Sequence, residues 1–396
     1  MRLPVLFTLI TLAFGLQVDR YIIRRYFRRP TLLKSIYIIA SILLSIVMLV
    51  VVIMPKKSVS GTLLITLMWV IFTYFSVYLP KDLMALFALV QQGLGALLHR
   101  PLRGIAIAGL VASATLFGML WWGALVTRNS IKVNTVNIEI PDLPRQFDDY
   151  RIVQLSDIHT GSLCRSSKFL DKMVERVEEL HPDIIFFTGD IVNRHSAELR
   201  PFTTALSALH APDGVWSVMG NHDYGEYYRW NSDTERLADI DSLKQMQQQM
   251  GWRMLNNDHA TIKRGNDSIV VIGVENIGEP PFSSYGHLLQ AYPTVNDSTT
   301  KILLTHNPRH WTDSISNQPS QNIALTLSGH THAMQFKLLG WSPASWRYHT
   351  WGGLYADSLD RKLYVNTGLG EVAFPARIGA TPEITLFILS RHAATR

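Results

Sequence analysis

Two histidines one residue apart, in the stretch "LSGHTHAMQF" (Leu327–Phe336), can aim two imidazoles at one place. Four other fragments carry side chains of the same kind. "SDIHTG" supplies Asp157 and His159, and "TGD" supplies Asp190; "GNHD" supplies Asn221, His222 and Asp223, and "LLTH" ends on His306. Carboxylate, imidazole and amide oxygen make a mixed donor set without thiolate, which suits manganese, iron or zinc better than calcium. Taken singly, most fragments have a plainer reading. "SDIHTG" and "TGD" also fit turns that cap a following helix, and a lone His306 fits an ordinary loop histidine. "GHTH" is more pointed, because residues i and i+2 leaving a strand can straddle two neighbouring ions.

Each fragment follows a short apolar run: "RIVQL", "IIFFTG", "VWSVMG", "ILLT" or "LTLSG". Such runs read as strands buried on both faces, and open α/β sheets bind ligands beyond the carboxyl ends of their strands. "IKVNTVNIEI" alternates with period two up to Pro141, as a half-buried strand does, and "SIVVIGV" adds another strand. "SKFLDKMVERVEEL" spaces Phe169, Leu170, Met173, Val174 and Val177 as one face of a helix. Residues Tyr224–Asp267, rich in Gln, Met and charge, read as a helix and a connection over one face of the core. Strands alternating with helices imply a layered α/β core.

In order and spacing the five fragments resemble the calcineurin-like metallophosphoesterases, whose pattern runs D-x-H, G-D, G-N-H-D/E, H, G-H-x-H. The resemblance covers about residues 150–390. It implies two packed mixed β-sheets flanked by helices, a four-layer αββα sandwich, and two divalent metal ions. One ion would take Asp157, His159 and His332, and the other Asn221, His306 and His330, with Asp190 bridging both. His222 would lie off the metals, near the leaving group or the phosphoryl oxygens. Asp223 would fix an imidazole tautomer, with a helix cap as its alternative role. Two such ions about 3.5–4 Å apart make water acidic enough to attack phosphorus and steady the oxygens on either side.

Within the family, "SDIHTGS", "GNHDYG" and "LYVNTGLGEVAFPARIGATPEITLFIL" resemble the bacterial membrane-anchored branch. That likeness implies a phosphodiesterase or pyrophosphatase, and some related proteins cleave UDP-2,3-diacylglucosamine in lipid A synthesis. The loop "LGWSPASWRYHTWGGLY" carries Trp341, Trp346 and Trp351 just past the paired histidines. Tryptophan favours membrane interfaces, so the loop is expected to touch acyl chains or bilayer; the alternative is that the rings pack the core. Arg377 is a candidate phosphate clamp, with a structural role as its alternative.

The first third is of another kind, which divides the chain into a membrane domain, residues 1–128, and a catalytic domain, residues 129–396. Residues 1–128 hold thirteen Lys and Arg against Asp19 and Asp82, a net charge of +11, while the remainder is at −5. An acidic catalytic part argues against a nucleic-acid partner. Apolar runs at Leu3–Val18, Ser35–Met54, Gly61–Leu79 and Gly104–Val126 give four expected spans, with three or five as alternatives. Leu83–Leu98 either extends the third span or lies along the surface. Basic residues crowd the segments after the first and third spans, which places those loops in the cytoplasm and the catalytic domain outside it. UDP-2,3-diacylglucosamine is made in the cytoplasm, so substrate and side of the membrane pull apart. The spans themselves are expected to be free of charge. Cys164 stands alone, which excludes an internal disulfide. A nuclease or nucleotidase of the same fold, and a membrane scaffold or sensor that only binds, are the competing readings.

Overall fold

The computed structural model describes residues 3–54, 56–163, 166–280, 282–292, 298–316 and 322–391; Cys164 lies outside them. The chain divides into two compact units, one of Met1–Leu125 with Ala373–Ala376 and one of Val126–Val372 with Arg377–Arg396.

The first unit is helical: α1 (Leu3–Tyr26), α2 (Leu32–Ile53), α3 (Gly61–Leu97) and α4 (Arg103–Leu125). Thr31 and Ser60 open α2 and α3 by accepting the backbone N–H groups of Lys34 and Leu63, as N-caps do. Among the described residues three helices are long and apolar enough to cross a membrane: Leu32–Ile53, Gly61–Leu97 and Arg103–Asn129. The stretch Leu83–Leu98 extends the third helix. At 37 residues α3 is about 55 Å long, well beyond a hydrocarbon core of roughly 30 Å.

One expectation is corrected here. The helices run past the apolar stretches, so charged residues do lie inside them. Asp19 of α1 is buried and pairs with Lys81 of α3 at 3.0 Å. Tyr78 and Tyr37 donate their hydroxyls to the same carboxylate at 2.7 and 2.5 Å. A carboxylate is tolerated in an apolar bundle when it is paired and hydrogen-bonded in this way.

The second unit holds twelve strands among the described residues. They are β1 (Lys132–Glu139), β2 (Arg151–Leu155), β3 (Ile184–Phe187), β4 (Val215–Ser217), β5 (Arg253–Met254) and β6 (Asp258–Arg264). They continue as β7 (Asp267–Val274), β8 (Lys301–Thr305), β9 (Ile323–Ser328), β10 (Gly353–Ala356), β11 (Lys362–Val365) and β12 (Glu383–Ser390). One sheet runs β1-β12-β2-β3-β4-β5 and the other β10-β11-β9-β8-β7-β6. Both are mixed: β12 is antiparallel to β2, and β7 is antiparallel to β6.

Alternation along the buried strands builds the layers. In β3, Ile184 and Phe186 enter the core between the sheets, against Leu304 and Leu327 of the other sheet. Ile185 and Phe187 face the opposite way, into a core shared with Leu170, Met173 and Val177 of α5 (Lys168–Glu178). A third core, around Ile272, Leu303 and Trp311, covers the outer face of the second sheet. The arrangement is the expected four-layer sandwich. Residues Tyr224–Asp267 depart from the expectation: beside a helix, Asp233–Gln249, they contribute β5 and the whole edge strand β6. In β6 only Ile262 is buried, so its sequence shows little apolar alternation.

Candidate metal centre

Five strands of the two sheets deliver the polar fragments to one place. Asp157 and His159 follow β2, Asp190 follows β3, and Asn221 follows β4, all in the first sheet. His306 follows β8, and His330 with His332 follows β9, in the second. Two clusters result, and within each the ligand atoms lie within 4.8 Å of one another: Asp157, His159 and His332, and Asp190, His306 and His330.

In the first cluster, His332 Nε2 stands 3.1 Å from Asp157 Oδ1 and 3.1 Å from His159 Nε2. In the second, His330 Nδ1 is 2.8 Å from Asn221 Oδ1 and 3.2 Å from His306 Nε2, and His306 Nε2 is 3.1 Å from Asn221 Oδ1. Asp190 Oδ2 reaches both, at 3.1 Å from His306 Nε2 and 3.6 Å from His159 Nε2. Imidazole nitrogens do not face each other or carboxylates so closely in a buried site unless a proton or a cation sits among them.

The electrostatics say the same. Burial raises the Asp157 carboxyl, but His332 beside it outweighs that and holds it below the usual range. Burial lowers the His306 imidazole, yet Asp190 carries it to about 9. Burial, then repulsion from His306, takes His330 down to about 4. Asp157 is thereby kept as the carboxylate and His330 as the neutral imidazole, the forms that bind cations. The donor set fits divalent cations, and the fold with these clusters implies them.

The backbone is strained where the donors leave their strands. Asp157, His159, Asp190, His330 and His332 all have positive φ, between 49° and 76°. Non-glycine residues enter this region at a cost of order 1–3 kcal/mol each, and such strain gathers at functional sites. Two glycines give the room that remains. A Cβ on Gly220 would run into the Asp190 carboxylate, and one on Gly329 into Asp157 and Ser156.

Of the other expected residues, His222 stays outside both clusters. Its Nδ1 lies 2.7 Å from the Asn193 carbonyl and its ring stacks on Tyr227 with centroids 3.9 Å apart. Its backbone N–H donates to Asp190 Oδ1 at 2.8 Å, which turns Oδ2 to the imidazoles. Asp223 takes the capping role and not the imidazole-fixing one. It meets no imidazole; its buried carboxylate accepts the N–H groups of Asp190, Ile191, Val192 and Gly220, tying the β3 loop to the β4 loop. Burial and the neighbouring Asp190 push it up to about 7. Arg377 takes the structural role and not that of a phosphate clamp. It is 0% exposed, and its donors go to the carbonyls of Gly370, Thr367 and Ala380 and to His332 Nδ1 at 3.3 Å, so no face is left for a phosphate. Trp341 and Trp346 lie outside the clusters, on the surface.

Two tyrosines were not anticipated. Tyr348 Oη is 2.9 Å from His330 Nε2, the nitrogen turned away from the cluster, and Tyr227 accepts the Asn221 amide N–H at 2.9 Å. Both line a cavity of about 210 Å³ with Asn276, Asn307, His330 and Arg347. The sole signal was aromatic residues soon after the motifs, in "GNHDYGEYY" and "SWRYHTW".

Residues 150–334 match the calcineurin-like phosphoesterase family. A protein of Danio rerio named transmembrane protein with metallophosphoesterase domain is 32% identical over 266 residues, 66% of this chain and 57% of its own length. Its Bos taurus namesake is 30% identical, over 65% of this chain and 56% of its own length. The chain thus spans little more than half of these two relatives. The UDP-2,3-diacylglucosamine pyrophosphatase LpxG of Chlamydia trachomatis is 27% identical over 67% of this chain and 91% of its own length. The apolar helices and the transmembrane relatives support membrane association. Motifs, sheets and paired clusters meet the family match at the same residues, and the chain carries a calcineurin-like metallophosphoesterase domain.

Proposed function

We propose that the domain hydrolyses a phosphodiester or pyrophosphate bond in a lipid-linked substrate such as UDP-2,3-diacylglucosamine. One observation carries the lipid part. Directly after His332, apolar side chains stand in solvent: Met334 is 49% exposed, Leu339 99%, Trp341 43% and Trp346 80%. Water penalises such a group, and an acyl chain or bilayer relieves it. The two exposed rings pack edge to face on each other, 5.3 Å apart, and not into the core. The LpxG likeness suggests the same class of substrate.

In this reading Asp157, His159 and His332 hold one divalent ion, and Asn221, His306 and His330 the other, with Asp190 between them. When bound, the ions supply Lewis acidity that sharpens water as a nucleophile and neutralises phosphoryl charge. The chain's own groups do the rest. The His222 N–H holds one Asp190 oxygen and turns the other toward His306 and His159. Tyr348 orients His330 through Nε2 and leaves Nδ1 for the ion. His222, with Nδ1 on the Asn193 carbonyl, keeps Nε2 for a phosphoryl oxygen or for proton delivery to the leaving oxygen.

The test uses full-length protein, stripped of metal and refilled with manganese, zinc or iron. It compares bis-p-nitrophenyl phosphate, p-nitrophenyl phosphate and UDP-2,3-diacylglucosamine. Metal-dependent turnover of the diester and the nucleotide lipid is expected. A preference for the monoester would overturn the diesterase reading, and binding without turnover in the refilled protein would leave a sensor.

A further inference from the structure

The helical unit carries a second constellation, unrelated to the metal centre. Gln17, Arg20, Arg24, Arg25 and Arg28 line a cleft of about 500 Å³, which Gln92 of α3 closes. Gln92 Nε2 also donates to Tyr21 Oη at 2.5 Å, fixing the wall between α1 and α3. Arg20 and Arg24 stand four residues apart on α1, so their guanidinium groups share one side of the helix, and Arg28, just past its end, lines the same cleft. Like charges at that spacing repel. No carboxylate lines the cleft among the described residues, and the nearest in sequence, Asp19, is turned into the bundle toward Lys81. An anion held in the cleft would relieve that repulsion.

The pattern above the cleft tells which anion. Ile10, Phe14, Gln17, Tyr21 and Arg24 succeed each other at steps of four and three, which is a single stripe of α1, and Arg28 lines the same cleft just past the helix end. Ile10 and Phe14 are 57% and 55% exposed. The stripe therefore grades from apolar to amide to guanidinium along its length. A free phosphate would use only the lower end. A molecule with an acyl chain and an anionic head would use all of it, the chain along Ile10 and Phe14 and the head in the guanidinium fork geometry that suits phosphate.

We propose that this cleft binds the phosphate-bearing headgroup of an anionic lipid, with the acyl chain lying along the α1 stripe. Titration of the full-length protein in neutral detergent with short-chain phosphatidylglycerol, phosphatidylcholine and inorganic phosphate tests it. Saturable binding of phosphatidylglycerol is expected, at least tenfold tighter than either of the others. The double variant Arg24→Gln with Arg28→Gln loses it at least tenfold, while Arg100→Gln with Arg103→Gln, equal in charge change, alters it less than twofold. Circular dichroism and elution volume confirm that each variant is folded. Equal loss in both double variants would reduce the effect to net charge and overturn the site. Binding of inorganic phosphate as tight as that of phosphatidylglycerol would overturn the lipid assignment.

Discussion

Asp190 is the residue on which both clusters depend, since one oxygen is held by the His222 N–H while the other serves two imidazoles. Replacing it by alanine is expected to lower metal-dependent turnover by more than about 100-fold, beyond the 10–100-fold typical of residues that only support a ligand; steady-state assay with metal analysis measures both effects. Asp223 acts differently, because four buried N–H groups converge on it. Asp223→Ala leaves them without an acceptor and should cost ~3 kcal/mol or more of stability, read as an earlier urea midpoint, with Asp223→Asn intermediate. The metal-binding pattern was legible because every donor lies in a short fragment directly after a buried apolar strand. Tyr227, Tyr348 and the buried setting of Arg377 were not. Their roles come from chain segments that meet only in the folded state, and nothing in "PARIGATPEI" tells an arginine facing phosphate from one spent on carbonyls.

Among the elements, the loop after β9 invites the clearest experiment. Replacing Trp341, Trp346 and Trp351 together by alanine should leave hydrolysis of a small soluble diester within about threefold, and lower turnover of a nucleotide lipid about tenfold or more; equal loss on both would end the lipid reading. The strands that carry donors were readable from their unbroken apolar runs, since a strand buried on both faces needs no alternation. The edge strand β6 and the short β10 (Gly353–Ala356) escaped notice. A strand with one exposed side and few neighbours leaves a faint sequence trace, and β10 has no buried residue at all. The helices likewise outran their apolar stretches, and Asp19 and Lys81 lie just beyond those stretches but within α1 and α3.

For the whole molecule, the side of the membrane turns on α1. If it crosses with the other three helices, the arginine-rich segments stay in the cytoplasm and the catalytic unit lies outside. Fusions at the carboxyl terminus should then give active alkaline phosphatase and dark green fluorescent protein; the reverse pattern would mean three crossings. The distribution of donors has a further effect on stability. Each cluster takes residues from loops of both sheets, and no sheet alone owns a complete set. Bound ions would thus act as rivets through the sandwich, and at a hundredfold excess over the dissociation constant each is worth about 2.7 kcal/mol of resistance to unfolding. Chelation should lower the melting temperature by roughly 5–10 °C, reversibly on refilling, even in a His222→Ala variant whose turnover is cut about 100-fold or more. Catalysis and cohesion would then rest on the same few atoms, so starving the protein of metal would loosen the fold as well as silence it.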